Sequence, residues 1–311
     1  MTHPAFALSI TDAEQRALIE KFVRDGIPLG RLPKRLRVLL LQFLLRGSVQ
    51  AEGIRQSQGT FMSGLHTYLL KLGPEMLGAF AKPIDRKIAE ALPALHVRLR
   101  LQDIVQLMTE ILTPALLSER SRPLHFVNIA GGPAIDSLNT LILLRKNQPN
   151  IFADRDVTIE VLDLDDAGPD FGKAALAALM EPDGLLHGAK VELRYVRYDW
   201  AQTATLKKVL NEAQAKGALV ICSSEGGLFE YGADEEIEDN LKVLRVFPDV
   251  LAVVGSVTRA DKPFQLLQKS STAALRPRGV KTFRALAEKA GWNVSRAIER
   301  PFSDQVILSR N

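Results

Sequence analysis

Apolar residues over the first 120 positions recur at intervals of three and four, the spacing of a helix face. The segment "DAEQRALIEKFVRDG" puts Ala17, Leu18, Phe22 and Val23 on one side and stops at a glycine. "LQDIVQLMTEILTPALL" repeats Leu101, Ile104, Val105, Met108, Ile111 and Leu112 in the same way. Between them, "GTFMSGLHTYLLKLG" and "PIDRKIAEALPALHVRLR" are further predicted helices bracketed by Gly or Pro. The most apolar early run, "LRVLLLQFLLRG" from Leu36 to Gly47, is too short to span a bilayer and carries Arg near both ends. It predicts a buried or subunit-interface helix.

Near residue 120 the pattern changes. "SERSRP" is polar and ends in proline, a junction between residues 1–120 and 121–311. Beyond it, short apolar runs alternate with helical patterns. The runs are "LHFVNIA", "VTIEVLDLD", "VELRYVRYD", "ALVICSS" and "DVLAVVGSVT". Such alternation predicts a mostly parallel sheet covered on both faces. The end of the chain, "TFRALAEKAGWNVSRAIERPFSDQVILSRN", reads as a helix closed by Gly291 and then two strands. The loop "RPFSD" is too short for a parallel crossover, so the last two strands are expected to be antiparallel.

Bulk properties leave this picture intact. The 311 residues suffice for a large core, and 46% hydrophobic with 24% charged residues is ordinary for a soluble protein. The single cysteine, Cys222, excludes an internal disulfide framework and fits a reducing, cytoplasmic setting. The start of the chain lacks a secretory signal pattern. The net charge is +4, and its excess lies in the first 120 residues, with 16 Lys and Arg against 11 Asp and Glu. "RLPKRLR" is the only basic cluster, and no aromatic residues interleave it, so nucleic acid is not an expected partner. Metal binding has no support from His or Cys spacing.

Candidate chemistry gathers at the predicted strand exits. In open α/β sheets, ligands bind outside the carboxyl ends of the strands, where strand order reverses. The first strand runs into "NIAGGPA", Asn128 to Ala134, a glycine turn that lets backbone approach a ligand. The second ends "VLDLDD", so Asp163 or Asp165 could accept hydrogen bonds from ribose hydroxyls. The third ends "YVRYDW", where Asp199 could accept from an adenine amino group while Trp200 covers the ring. The plain alternative for each acid is a helix cap.

With these motifs the chain resembles the class I S-adenosylmethionine-dependent methyltransferases over roughly residues 120–311. "VNIAGGPA", "EVLDLD", "RYDW" and the final "LAEKAGW…VILSR" carry the resemblance. It implies a Rossmann-like α/β sheet of seven strands, mostly parallel with the last reversed, preceded here by an all-helical region. It also implies S-adenosylmethionine as cofactor, held by Asn128, Ala130, Gly131, Gly132, Asp163, Asp165, Asp199, Trp200, Ser223 and Ser224. The family's glycine motif begins with an acid and has three glycines. Here Asn128 replaces the acid, and Ala130 and Ala134 replace two glycines.

"SSEGGLFEY" after the fourth strand is similar to the Glu-Gly-Leu-x-x-Tyr segment of the leucine-carboxyl-methyltransferase-like branch. Asp136-Ser137 echoes that branch's Asp-Thr two positions late. Glu225 is then expected to hold the cofactor's ammonium group or orient a substrate. His66 and Tyr231 are further catalytic candidates, and Arg259 after the fifth strand could contact an anionic or polar substrate. The resulting expectation is in-line methyl transfer to a small molecule, at a hydroxyl or carboxylate oxygen before nitrogen or carbon. Residues 1–120 are expected to cap the pocket and build a homodimer. Rival readings are a macromolecular methyltransferase, a non-catalytic cofactor-binding module and a nicotinamide oxidoreductase. The altered glycines and the reversed last strand disfavour the last of these.

Overall fold

Seven strands form one sheet: β1 (Leu124–Ile129), β2 (Asp156–Asp163), β3 (Lys190–Arg197), β4 (Leu219–Ser224), β5 (Val250–Thr258), β6 (Trp292–Glu299) and β7 (Ser303–Arg310). The computed structural model describes residues 7–26, 36, 46–56, 61–79, 81–269 and 273–310. The strand order is β3-β2-β1-β4-β5-β7-β6. Neighbours from β3 through β5 pair in parallel, and β7 runs antiparallel to both β5 and β6. The expected seven-stranded sheet with a reversed last strand is therefore the observed one. Strand order reverses between β1 and β4, which fixes where a ligand crevice opens.

Alternate residues of each strand feed opposite faces, as the two-residue period requires. Leu124 and Phe126 of β1 and Ile159 and Val161 of β2 face one core. Val127 and Ile129 of β1 and Val220 and Cys222 of β4 face the other. The second core is closed by helices at Ala204–Ala215, Asp234–Val246 and Gly279–Lys289, with Trp292 wholly buried among them.

Among the described residues, those before β1 contain helices and no strand: α1 (Asp12–Asp25), α2 (Val49–Gln56), α3 (Gly64–Lys71), α4 (Pro83–Glu90) and α5 (Leu92–Ser118). No helix there is long and apolar enough to cross a membrane. The apolar run Leu36–Gly47 and the basic stretch before it fall largely outside the described residues. The stretch expected as one helix over "PIDRKIAEALPALHVRLR" is divided at Ala91, because Pro93 opens the next helix and favours extended backbone before it. The second half then runs on through "LQDIVQLMTEILTPALLS" as one 27-residue helix.

Helix α5 is buried along most of its length for a physical reason. Leu101, Ile104, Met108 and Leu112 lie in the same core as β1 and β2, while other faces meet the smaller helices. Its last carbonyls are satisfied by Arg155, itself almost fully buried. That guanidinium donates to the carbonyls of Leu116 (2.9 Å), Glu119 (2.8 Å) and Arg120 (3.0 Å). The long helix is thus fastened to the sheet at one end and reaches the cleft region with the other.

Because Leu107 is fully buried in this shared core, Leu107→Ala is expected to cost about 2–5 kcal/mol. Urea unfolding followed by circular dichroism would measure it. A single transition with a shifted midpoint is the expected form.

Candidate functional site

A cleft opens at the carboxyl edge of β1, β2 and β4, at the point where strand order reverses. Its floor is the turn after β1. Ala130, Gly132 and Ala134 all have positive φ, at 55°, 50° and 53°. This chain thus places alanine twice in backbone that glycine adopts freely. Between them, a Cβ on Gly131 would lie 2.4 Å from the Asn128 Cβ, which leaves no room for any side chain.

The acids at the strand ends are placed differently from one another. Asp163 lines the cleft, and its Oδ2 accepts the Gly132 N–H at 2.9 Å. Burial raises its pKa against the pull of the Gly132 and Asp165 amides. Asp165 does not line the cleft. Its Oδ1 accepts the Ala167 N–H at 3.0 Å at the start of the next helix (Ala167–Met180). Asp199 is exposed and accepts the Ala201 N–H at 3.0 Å. Both acids therefore sit in local turn-capping positions.

Trp200 does line the cleft, held by its Nε1–H donating to Glu236 Oε2 at 3.1 Å. Tyr198 stands beside it on the cleft wall, and its hydroxyl donates to Asn240.

Three expected cofactor contacts turn out to lie behind the turn. Asn128 donates from Nδ2 to Asp136 Oδ1 at 2.7 Å and accepts the Ser137 hydroxyl at 2.9 Å. Ser223 donates to Asp136 Oδ2 at 2.7 Å, and Ser224 accepts the Leu228 N–H at 2.9 Å. None of these side chains lines the cleft. They brace the turn and the β4 exit from below.

The opposite wall comes from the segment before and within α3. Phe61 meets Trp200 edge to face, with ring centroids 6.4 Å apart. Met62 and Tyr231 also line the cleft. Gly64 packs backbone to backbone on Gly132: a Cβ on Gly64 would sit 2.4 Å from the Gly132 Cα. Gly64, Thr67 and Lys71 share one helix face at three- and four-residue spacing, and all three line the cleft. His66 lies on another face. It contacts Gly53 of α2, and its Nδ1 is 2.8 Å from the Ser63 hydroxyl. The candidate histidine is therefore turned away from the cleft.

Sequence reasoning missed Lys71, Arg100 and Asp136. Lys71 and Arg100 both pair with Glu225, the latter at 2.7 Å through Nε. Arg100 also reaches Glu230 at 3.1 Å, and all four side chains are buried. Burial would raise the Glu225 carboxyl, but the two cations outweigh it and hold it below its ordinary value. Burial pushes Tyr231 up to about 12. The spacing of Gly64, Thr67 and Lys71 in "GLHTYLLK" was the available signal for Lys71. Arg100 had none, since its partners lie 125 and 130 positions away.

Arg259, expected near a substrate, instead pairs with Asp261 (2.6 Å) and Asp304 (2.8 Å) beside the β5–β7 end of the sheet.

No protein-family model matches the chain, and no curated protein matches it in sequence. Similar solved structures include the pyocyanin biosynthetic protein PhzM, at 14% identity and a TM-score of 0.45, covering 97% of this chain and 74% of that one. Mitomycin 7-O-methyltransferase MmcR is similar at 15% identity and a TM-score of 0.41, covering 84% and 67%. Human N-acetylserotonin methyltransferase is similar at 12% identity and a TM-score of 0.39, covering 99% and 73%. Likeness at this level transfers no residue role and no substrate.

The turn geometry makes a stability prediction. Ala130→Gly is expected to raise stability by about 1 kcal/mol, because a half-buried alanine leaves a left-handed conformation. Gly132→Ala is expected to lower it by about 2 kcal/mol or more, since strain adds to a contact 2.7 Å from the Gly64 Cα. Paired thermal and urea denaturation of the two variants checks the opposite signs.

Proposed function

We propose that the protein is an S-adenosylmethionine-dependent methyltransferase that methylates an oxygen of a small molecule. The observation that carries this reading is a single cleft at the switch point that combines a close-approach glycine turn, the carboxylate of Asp163 and the aromatic wall of Trp200 and Tyr198. Backbone bare of side chains at Gly131 and Gly132 suits a ligand lying against the turn. We read Asp163, which lines the cleft, rather than Asp165, which turns to the Ala167 amide, as the acceptor for ribose hydroxyls. Trp200 offers a face for adenine. Lys71 and Glu225 present opposite charges side by side, which suits the carboxylate and ammonium of an amino-acid end.

The cofactor, when bound, would supply an electrophilic methyl group whose C–S bond breaks as a new O–C bond forms, the electron pair going to sulfur. The chain's own share is alignment and exclusion of water. Phe61, Met62 and Tyr231 form an apolar rim for that purpose. Among the described residues lining the cleft, Glu225 is held as a paired carboxylate, Tyr231 is pushed up to about 12, and the raised Asp163 carboxyl is given to the ribose in this reading, so none of the three is left as a base near neutral pH. This favours a substrate oxygen that arrives already ionised.

We further read residues 1–120 as the cap of this site and residues 121–311 as the cofactor domain. The reading includes a homodimer built through the N-terminal helices, on the strength of the apolar run Leu36–Gly47, and a cytoplasmic setting, on the strength of one buried cysteine.

Isothermal titration calorimetry with S-adenosylmethionine, its demethylated product and NADH tests the cofactor. Binding of the first two at micromolar levels without the third is expected. Asp163→Ala is expected to weaken both by about 1–3 kcal/mol, as charge-assisted hydrogen bonds to ribose are lost. Absence of binding by either would sink the reading.

A further inference from the structure

We propose that Asp136 places an uncompensated negative charge beneath the glycine turn, so that the cleft prefers S-adenosylmethionine to its demethylated product. This rests on the cofactor reading above and goes beyond it, to how the site tells substrate cofactor from spent cofactor.

Asp136 opens the helix Ile135–Asn147 directly after the turn, between β1 and β4, and is 3% exposed. Its Oδ1 accepts from Asn128 Nδ2 at 2.7 Å and from the Ser137 N–H at 2.8 Å. Its Oδ2 accepts from the Ser223 hydroxyl at 2.7 Å. Every one of these donors is neutral. The other buried charges around the cleft cancel among themselves, because Lys71 and Arg100 are matched by Glu225 and Glu230. Two carboxylates without a cationic partner remain, Asp163 on the cleft wall and Asp136 behind its floor.

The carboxylate is electrically in touch with the cleft although it does not line it. Glu225 and Lys71, both on the cleft wall, act on it in opposite senses. Burial raises its pKa most, Glu225 raises it further, and Ser223, the Ser137 amide and Lys71 pull the other way. A cation entering the cleft would relieve that imbalance. S-adenosylmethionine carries an ammonium, a sulfonium and a carboxylate, for a net charge of +1. The demethylated product has lost the sulfonium charge and is neutral overall. Surplus negative charge on the wall and behind the floor therefore favours the first over the second, and by a substantial factor where water is excluded.

The variant Asp136→Asn isolates the charge. An amide keeps Oδ1 as acceptor for Asn128 and Ser137, and its Nδ2 can donate to the Ser223 hydroxyl oxygen, which accepts as readily as it donates. Calorimetry on wild type and variant, each with S-adenosylmethionine and S-adenosylhomocysteine, reads the effect. Affinity for the first is expected to fall about tenfold, while affinity for the second stays within about twofold. Asp163→Asn removes the other unpartnered carboxylate together with a ribose contact, so it should weaken both ligands, and S-adenosylmethionine the more.

Lys71→Met gives an independent reading that does not depend on the Asp136 side chain. It removes a cation from the same group, so the preference for S-adenosylmethionine should widen even if both affinities drop. An unchanged ratio in Asp136→Asn overturns the inference alone, whatever Lys71→Met does. Wild-type protein that binds neither ligand overturns the cofactor reading and this inference with it.

Discussion

The contact on which the cleft depends is backbone lying on backbone at Gly132. Gly64 of α3 meets it from one side, and Gly168, in the helix after β2, meets it from another. A Cβ at any of the three would lie within 3 Å of main-chain atoms of the turn or its partner. Main chain cannot yield as a flexible side chain can, so the three glycines fix how near α3 stands to the strand ends. Once α3 is there, Thr67 and Lys71 necessarily face the cleft, and His66 faces α2. The identity of the wall follows from helix geometry and one close approach.

A second constraint ties the same two parts together. Lys71 and Arg100 come from α3 and α5, and Glu225 and Glu230 from the exit of β4. Buried pairs of this kind return little net stability, since desolvation offsets attraction. Their value lies in specificity: α3 and α5 displaced by one helical turn would leave four buried charges unmatched. Gly226 belongs to the same device. Its φ is 75°, and a Cβ there would strike the Arg100 guanidinium at 2.5 Å, so the loop lies flat on the cation that holds Glu225.

Much of this was legible in the sequence, and the boundary of legibility has a physical cause. The sheet, its reversed last strand and the turn after β1 declare themselves through two-residue and three-to-four-residue periods, which are local properties. Asp163 and Trp200 were legible as cleft residues because strand ends sit at fixed places relative to those periods, and Tyr231 because it follows the β4 exit closely. What the local pattern cannot carry is side-chain direction within a turn. Asn128, Ser223 and Ser224 stand at the right strand ends, yet their side chains point into hydrogen bonds with Asp136 and Leu228. Asp165 and Asp199 took the option, open to an acid in a turn, of accepting the backbone N–H two residues on. The helical region was the least legible part, because its chemistry depends on which face of α3 meets the sheet, a long-range fact.

The two alanines in the turn connect these observations. Left-handed backbone at Ala130 and Ala134 costs energy that glycine would not, so something must hold the turn in that shape. The braces are in place directly below it: Asp136, at the first turn of the helix that Ala134 begins, gathers Asn128 from β1, the Ser137 amide and Ser223 from β4. A neutral acceptor could make some of those bonds, but a carboxylate gathers all three at once and makes each of them stronger. The same choice leaves an unneutralised charge under the cleft floor. A turn with alanine at two left-handed positions thus needs a strong anchor, and the anchor's charge bears on which ligand the cleft prefers.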